Sequence, residues 1–360
     1  QVDIFGLNYF HKTYPVFKEQ NPTRRYHASE TSSATSSRGE YFFPVTTDVN
    51  DSRSGFQLSS YDMTTIGWGC APEVQFKMNE EYPFMSGEFV WTGFDYLVEP
   101  TPYNKDLTNL LNFSDPNELE KARKELEELS KIKTPSRSSY FGIVDLCGFP
   151  KDRYYNYKSY WRPDVPTVHI LPHWKWQERI GEITPVHIYT SGDAVELFLN
   201  GKSLGRREKA HSYDRLTWDD VRYEPGSLRA IAYKNGQKWA EELVETTGKP
   251  AALQVTAEKT ELKNDGTDLS FIRVAVVDSQ GRVVPRSKNH LKFSVTGPAE
   301  IIATDNGDAT SLLPFQLSER DAYNGLALVI LRSQYMKQGK VVLTVESKGL
   351  PKQKIALKVE

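Results

Sequence analysis

From about residue 165 to the C-terminus the apolar residues recur at every second position, and a period of two confines that stretch to half-buried strands. Val186-His187-Ile188-Tyr189-Thr190, Ala194-Val195-Glu196-Leu197-Phe198-Leu199 and Leu228-Arg229-Ala230-Ile231-Ala232-Tyr233 form a first set. Asn200-Gly201 and Asn235-Gly236 supply tight hairpin turns, because both residues of such a turn need positive φ. A second set follows Lys249-Pro250-Ala251, which reads as a linker: Val255-Thr256-Ala257, Phe271 to Val277, Leu291 to Val295 and Lys340 to Thr344, with Asp278-Ser279-Gln280-Gly281 as a turn. Two successive β-sandwiches of immunoglobulin-like type are the economical arrangement.

The first 164 residues follow a different rule. Val2 to Tyr9, Arg25 to Glu30 and Pro83 to Trp91 read as strands, with a helix predicted over Pro72 to Glu81. Strand, connection and strand is the α/β pattern, and polar groups at the strand C-terminal ends are where a β/α barrel keeps its chemistry. Only about three such strands are present, so the sequence is expected to start inside a domain. Asp115-Pro116 with Glu118 makes a capping-box start, and Leu119, Ala122, Leu126 and Leu129 continue it as one amphipathic helix over 115–133. Its Glu and Lys residues read as a solvated face.

At 360 residues and 41.1 kDa, with 38% hydrophobic residues, the chain can bury two or three cores of ordinary size. A net charge of -2 gives no basic field for nucleic acid and no polybasic anchor for a membrane. No apolar run of about 18 residues, which a membrane span needs, is visible, and neither is an export signal. Cys70 and Cys147 are too few for a disulfide framework or a zinc site and leave the compartment open. No Gly-rich phosphate loop or Cys-x-x-Cys pair occurs, so neither a cofactor nor a metal is expected. Asp305-Asn306-Gly307-Asp308 lacks the further ligands of a calcium loop and reads as a tight turn. Asn79-Glu80 falls at the polar end of a helix, a poor setting for an acid catalyst.

One carboxylate stands out. HASETSSATSSRGEY, residues 27–41, encloses Glu30 among small hydroxyl side chains. A surface loop would explain the Ser and Thr residues, whose hydroxyls serve turns and caps. Placed at a strand end with aromatics around it, however, a carboxylate suits nucleophilic attack on the anomeric carbon of a sugar.

Val2 to Tyr9, Ser29-Glu30-Thr31-Ser32-Ser33, Gly87-Glu88-Phe89-Val90-Trp91-Thr92-Gly93-Phe94-Asp95-Tyr96 and Glu99-Pro100-Thr101-Pro102-Tyr103 together resemble the C-terminal half of family 2 glycoside hydrolases of the bacterial β-galactosidase type. The likeness continues through Ser138 to Asp145, Val195 to Lys202 and Asp305 to Asp308. It implies α/β plus all-β architecture: the C-terminal part of a (β/α)8 TIM barrel over 1–164, then immunoglobulin-like β-sandwiches over 165–249 and 250–360. It also implies retaining hydrolysis of terminal β-galactosides, with Glu30 as nucleophile and Tyr9 as its hydrogen-bond donor. Trp91 would form the floor of the sugar subsite, and Trp68 and Asn8 would line it. The acid/base carboxyl of such enzymes lies on an earlier strand, so the chain is expected to need a missing N-terminal part of the same protein and to be inactive alone. Glucuronidases of the family carry Asn-x-Lys before a Gly-Ile pair; here Ser139-Tyr140-Phe141 precede Gly142-Ile143, which disfavours an acidic sugar. A histidine often found three residues after the nucleophile is Ser33 here. The expected partner is a glycoside or oligosaccharide, with a homo-oligomer possible through the sandwiches acting as spacers. A non-catalytic carbohydrate-binding or adhesive protein is the rival reading, and it has no need of Glu30 at a strand end.

Overall fold

The computed structural model describes residues 3–47, 53–103, 115–118, 120, 121, 124 and 137–360. The chain divides into two compact units, Gln1–Glu245 and Thr246–Glu360. Most of the helix predicted over 115–133 lies outside the described residues. Its start is described: Asp115 accepts the Asn117 amide at 2.7 Å, as a helix N-cap does.

In the first unit, β1 (Ile4–Asn8), β2 (Arg25–Ser32) and β5 (Met85–Trp91) form a parallel sheet in the order β1-β2-β5. The connections carry a short 3-10 turn, helix α1 (Tyr14–Gln20), a small ribbon of β3 (Arg53–Ser54) and β4 (Gln57–Leu58), and helix α2 (Pro72–Glu81). Helix α2 starts on a proline, which suits a first helical turn because that turn has no use for its amide. Leu7, Tyr14, Tyr26, Ala28 and Met85 bury one face of the sheet, each large side chain contributing roughly 1.5–3 kcal/mol.

Helix α3 (Asp152–Trp161) leads into β6 (Val168–Leu171), β7 (Val186–Thr190), β8 (Ala194–Leu199), β9 (Lys202–Glu208), β10 (Leu216–Trp218), β11 (Ser227–Lys234) and β12 (Gln237–Glu245). They form two antiparallel sheets, β10-β7-β6 and β12-β11-β8-β9, over one core that holds Ile188, Leu197, Leu228 and the fully buried Trp174 and Trp218. Tyr41 and Tyr61, from the long connection after β2, enter the same core, and the Tyr61 hydroxyl donates to the Pro185 carbonyl at 2.6 Å. Asn200-Gly201 and Asn235-Gly236 have φ of 51°, 81°, 51° and 76°, the left-handed pair their hairpins require.

The second unit contains β13 (Ala252–Ala257), β14 (Glu261–Leu262), β15 (Leu269–Val277), β16 (His290–Thr296), β17 (Ala299–Asp305), β18 (Glu319–Asp321), β19 (Leu326–Ser333), β20 (Gly339–Glu346) and β21 (Gln353–Val359). Sheets β13-β15-β19-β17 and β14-β21-β20-β16-β18 face each other across Ile272, Val274, Val329, Leu291, Phe293 and Leu343, a sandwich with its own core. The loop over 305–308 is a turn: Asn306 Oδ1 accepts the Asp308 amide at 3.0 Å, and Asp308 Oδ1 takes the Thr310 amide and hydroxyl.

Two features depart from the simplest reading of the sequence. Residues Ser32–Arg38, whose hydroxyls suit a surface loop, are buried. The polar groups of Ser36 are taken up by α3 and its approach: Lys151 donates to the Ser36 carbonyl at 2.8 Å, and Arg153 to Ser36 Oγ at 2.7 Å. These cations are themselves paired with Asp95 and Asp62, at 2.6 and 2.7 Å, which meets the demand that a buried charge have a partner. The second departure is in β2. Strict alternation from Tyr26 and Ala28 would turn Glu30 toward the helices. The ladder is irregular between Ala28 and Thr31, and the extra residue gives Thr31 the helix-facing position and Glu30 the opposite one.

Candidate active site

The parallel sheet brings Tyr9 and Glu30 together. Asn8 pairs with Glu30 across β1 and β2, and one residue later the Tyr9 amide donates to the Glu30 carbonyl at 2.9 Å. Tyr9 then turns to φ 59°, a left-handed conformation uncommon for an aromatic residue. From there its phenol donates to Glu30 Oε2, also at 2.9 Å. Partial burial, together with the hydrogen bond to Glu30, holds the Tyr9 hydroxyl above its ordinary pKa, so it remains a donor. Behind it, the Ser33 hydroxyl donates to the Tyr9 oxygen at 2.7 Å.

The remaining residues singled out from the sequence fall into place unevenly. Asn8 is exposed at the same strand end, where its Oδ1 accepts the Ser29 hydroxyl at 2.5 Å. Trp91 ends β5 beside Ser32. Its indole N–H donates to the Tyr96 hydroxyl at 3.1 Å, the two rings meet edge-on at 5.7 Å, and Tyr96 in turn donates to the Glu99 carboxylate. Trp68 is 51% exposed and, among the described residues, makes no hydrogen bond or ring contact with Tyr9, Glu30 or Trp91.

Sequence reasoning passed over Glu88, Tyr96, Glu99 and the link from Ser33 to Tyr9. Glu88 is a carboxylate on the strand next to Glu30, yet it cannot serve the same site. It accepts from Thr31 Oγ1 at 2.7 Å, Asn79 Nδ2 at 3.1 Å and Trp161 Nε1 at 3.2 Å. Thr31 and Glu30 are successive strand residues on opposite faces, so Glu88 belongs to the helix side. Burial raises its pKa against those three donors. The motif Phe-Asp-Tyr-Leu-Val-Glu-Pro was a usable signal for Tyr96 and Glu99, since it follows the strand that ends in Trp91.

Ser139, Tyr140 and Phe141 are buried. Ser139 Oγ accepts the Tyr96 amide at 3.0 Å, and the Tyr140 hydroxyl donates to the Phe56 carbonyl at 2.5 Å. They brace the connection behind Trp91 and put no cation there. Cys70 and Cys147 are not joined in a disulfide. Among the described residues no three His, Cys, Asp or Glu side chains gather as a metal site would require, and no helix is long and apolar enough to cross a membrane.

Taken together, a carboxylate fixed at a strand end by a tyrosine donor, with an aromatic face on the neighbouring strand, can hold a sugar and present an oxygen to it. Comparison with known proteins agrees in kind. Residues 253–356 match the glycoside hydrolase family 2 C-terminal domain 5, and residues 181–240 match a domain of unknown function, DUF4982. The β-galactosidase BoGH2A of Bacteroides ovatus is 36% identical over 97% of the chain and 38% of its own length. A β-glucuronidase of Formosa agariphila is 33% identical over 44% of the chain and 16% of its length. The crystal structure of a β-glycosidase from Bacteroides vulgatus superposes on all of the chain and 45% of its own, with a TM-score of 0.81 at 28% identity. The chain thus spans about two fifths of the length of the β-galactosidase that it matches almost throughout. It belongs to glycoside hydrolase family 2, matching the part of its relatives that ends in the family's C-terminal domain.

Proposed function

We propose that this chain carries the nucleophile of a retaining β-glycoside hydrolase acting on β-galactosides. In this reading β1, β2 and β5 are the last three strands of a (β/α)8 barrel occupying residues 1–164, and the two sandwiches follow as 165–249 and 250–360. A Glu30 oxygen attacks the anomeric carbon while the glycosidic C–O bond breaks, and a carboxylic acid on an earlier strand of the longer protein protonates the departing oxygen. Water, deprotonated by that same carboxylate, then forms a bond to the anomeric carbon, and the bonding pair returns to Glu30. Tyr9 supports both steps by holding Oε2 and stabilising the carboxylate as it leaves. Trp91 offers its ring to the apolar face of the sugar, Asn8 stands at the rim to meet hydroxyls, and Trp68 extends the wall.

The Tyr9–Glu30 pair carries this reading, because a binding module gains nothing from a carboxylate whose free oxygen is kept available by an engaged one. Relatives named β-galactosidase and β-glucuronidase both occur. The galactoside is preferred because Ser139, Tyr140 and Phe141 offer no cation to a uronate, and Glu30 and Glu99, whose charges bear on Tyr9, are both carboxylates. Incubating the full-length protein with a 2-deoxy-2-fluoro-β-galactosyl fluoride, then mapping peptides, tests it: an adduct on Glu30 is expected.

A further inference from the structure

Tyr9, Ser32 and Ser33 all have positive φ, at 59°, 63° and 50°. Non-glycine residues occupy that region at a cost and stay there only where the surroundings over-determine them. The two serines are clamped by the chain that crosses them. The Cys70 amide donates to the Ser32 carbonyl at 2.8 Å, and the Ser32 hydroxyl returns to the Cys70 carbonyl at 2.9 Å. Gly69 lies so close that an added Cβ would sit 2.5 Å from the Ser32 oxygen. The turn is tightened from within by the Ser33 amide, which donates to the Thr31 carbonyl at 2.8 Å. What this strained, fully buried turn delivers is one hydroxyl, aimed at the Tyr9 oxygen.

We propose that Ser33 is a positioning residue, whose hydroxyl fixes the Tyr9 oxygen and thereby aims and strengthens the hydrogen bond that Tyr9 donates to Glu30. The inference rests on the reading of Glu30 as nucleophile. A phenol has one proton to give and can accept elsewhere. Occupying its acceptor with a donor leaves Tyr9 no other role than donation to Glu30, and chained hydrogen bonds polarise one another in the same sense. The benefit falls on the second step, when the bond from the anomeric carbon to Glu30 breaks and negative charge returns to the carboxylate that Tyr9 holds. Ser33 touches neither the sugar nor the nucleophile and acts only through Tyr9.

The test uses the full-length protein and the rate at which the trapped 2-fluoroglycosyl form reactivates, which reads the second step alone. Ser33→Gly removes the hydroxyl at a φ that glycine accepts freely, so the turn survives; Ser33→Ala keeps a Cβ as a second probe. Both are expected to slow reactivation roughly three- to tenfold, the worth of one hydrogen bond, with KM little changed. In a Tyr9→Phe background the same substitutions are expected to have no further effect. An unchanged reactivation rate, or the same loss with and without the Tyr9 hydroxyl, overturns the inference. If the wild-type protein forms no adduct on Glu30, the reading of the nucleophile falls, and the role of Ser33 falls with it.

Discussion

Chemistry at the residue scale depends on which face of β2 each side chain takes. Glu30 and Thr31 are neighbours in sequence, yet one meets Tyr9 and the other meets Glu88. Two substitutions in the full-length protein separate these roles. Glu30→Gln keeps the shape and is expected to lower kcat/KM on the order of a thousandfold or more, with an unchanged melting temperature. Glu88→Gln is expected to keep activity within about threefold, because the charge sits on the helix side and has no part in proton transfer; a proton donor lost there would cost about a hundredfold or more. Steady-state kinetics on an aryl galactoside distinguishes the two. The carboxylate itself was legible in the sequence as an isolated acid among hydroxyls. Its direction was not, because a strand pattern with a period of two assigns Glu30 to the same face as Ala28. Only the irregular ladder between Ala28 and Thr31 reverses that.

At the scale of elements, periodic stretches were read well and polar buried ones badly. Helix α2 and strands β7 and β8 have the bounds read for them in the sequence, and the Asn-Gly turns lie where expected. Residues 32–38 look like loop because nothing in a run of Ser and Thr tells that Lys151 and Arg153 will arrive from a distant helix start. Removing that support should be costly: Lys151→Met leaves Asp95 buried without its cation and is expected to lower stability by about 3–5 kcal/mol in urea unfolding. A second junction responds to pH. His169 on β6 lies 2.8 Å from Asp152 of α3 and 3.4 Å from Glu242 of β12. Burial alone would push its pKa down, but the carboxylates of Glu242 and Asp152 outweigh it and hold it up at about 9. A raised histidine favours the folded state while protonated, so its contribution is complete below about pH 6.5 and is lost as pH rises through about 9. Melting curves between those limits should fall for the wild-type chain, and the fall should shrink in His169→Gln.

For the whole molecule, the sandwich of residues 246–360 buries its own core from both of its sheets, and its expressed segment is expected to melt cooperatively by itself. A non-cooperative trace would show that it needs the rest of the chain. Strands β1, β2 and β5, which the proposed function assigns to a larger barrel, do not close into one as a three-stranded parallel sheet. The chain by itself is therefore expected to release no aryl alcohol from a galactoside, whereas the full-length protein should. The central claim is that Glu30 becomes covalently glycosylated, and intact-mass and peptide mapping of the full-length protein after exposure to a 2-deoxy-2-fluoro-β-galactosyl fluoride tests it most directly. The account predicts one sugar adduct, on the peptide bearing Glu30 and absent in Glu30→Gln; an adduct on another residue, or none with galacto, gluco and manno reagents alike, would contradict it.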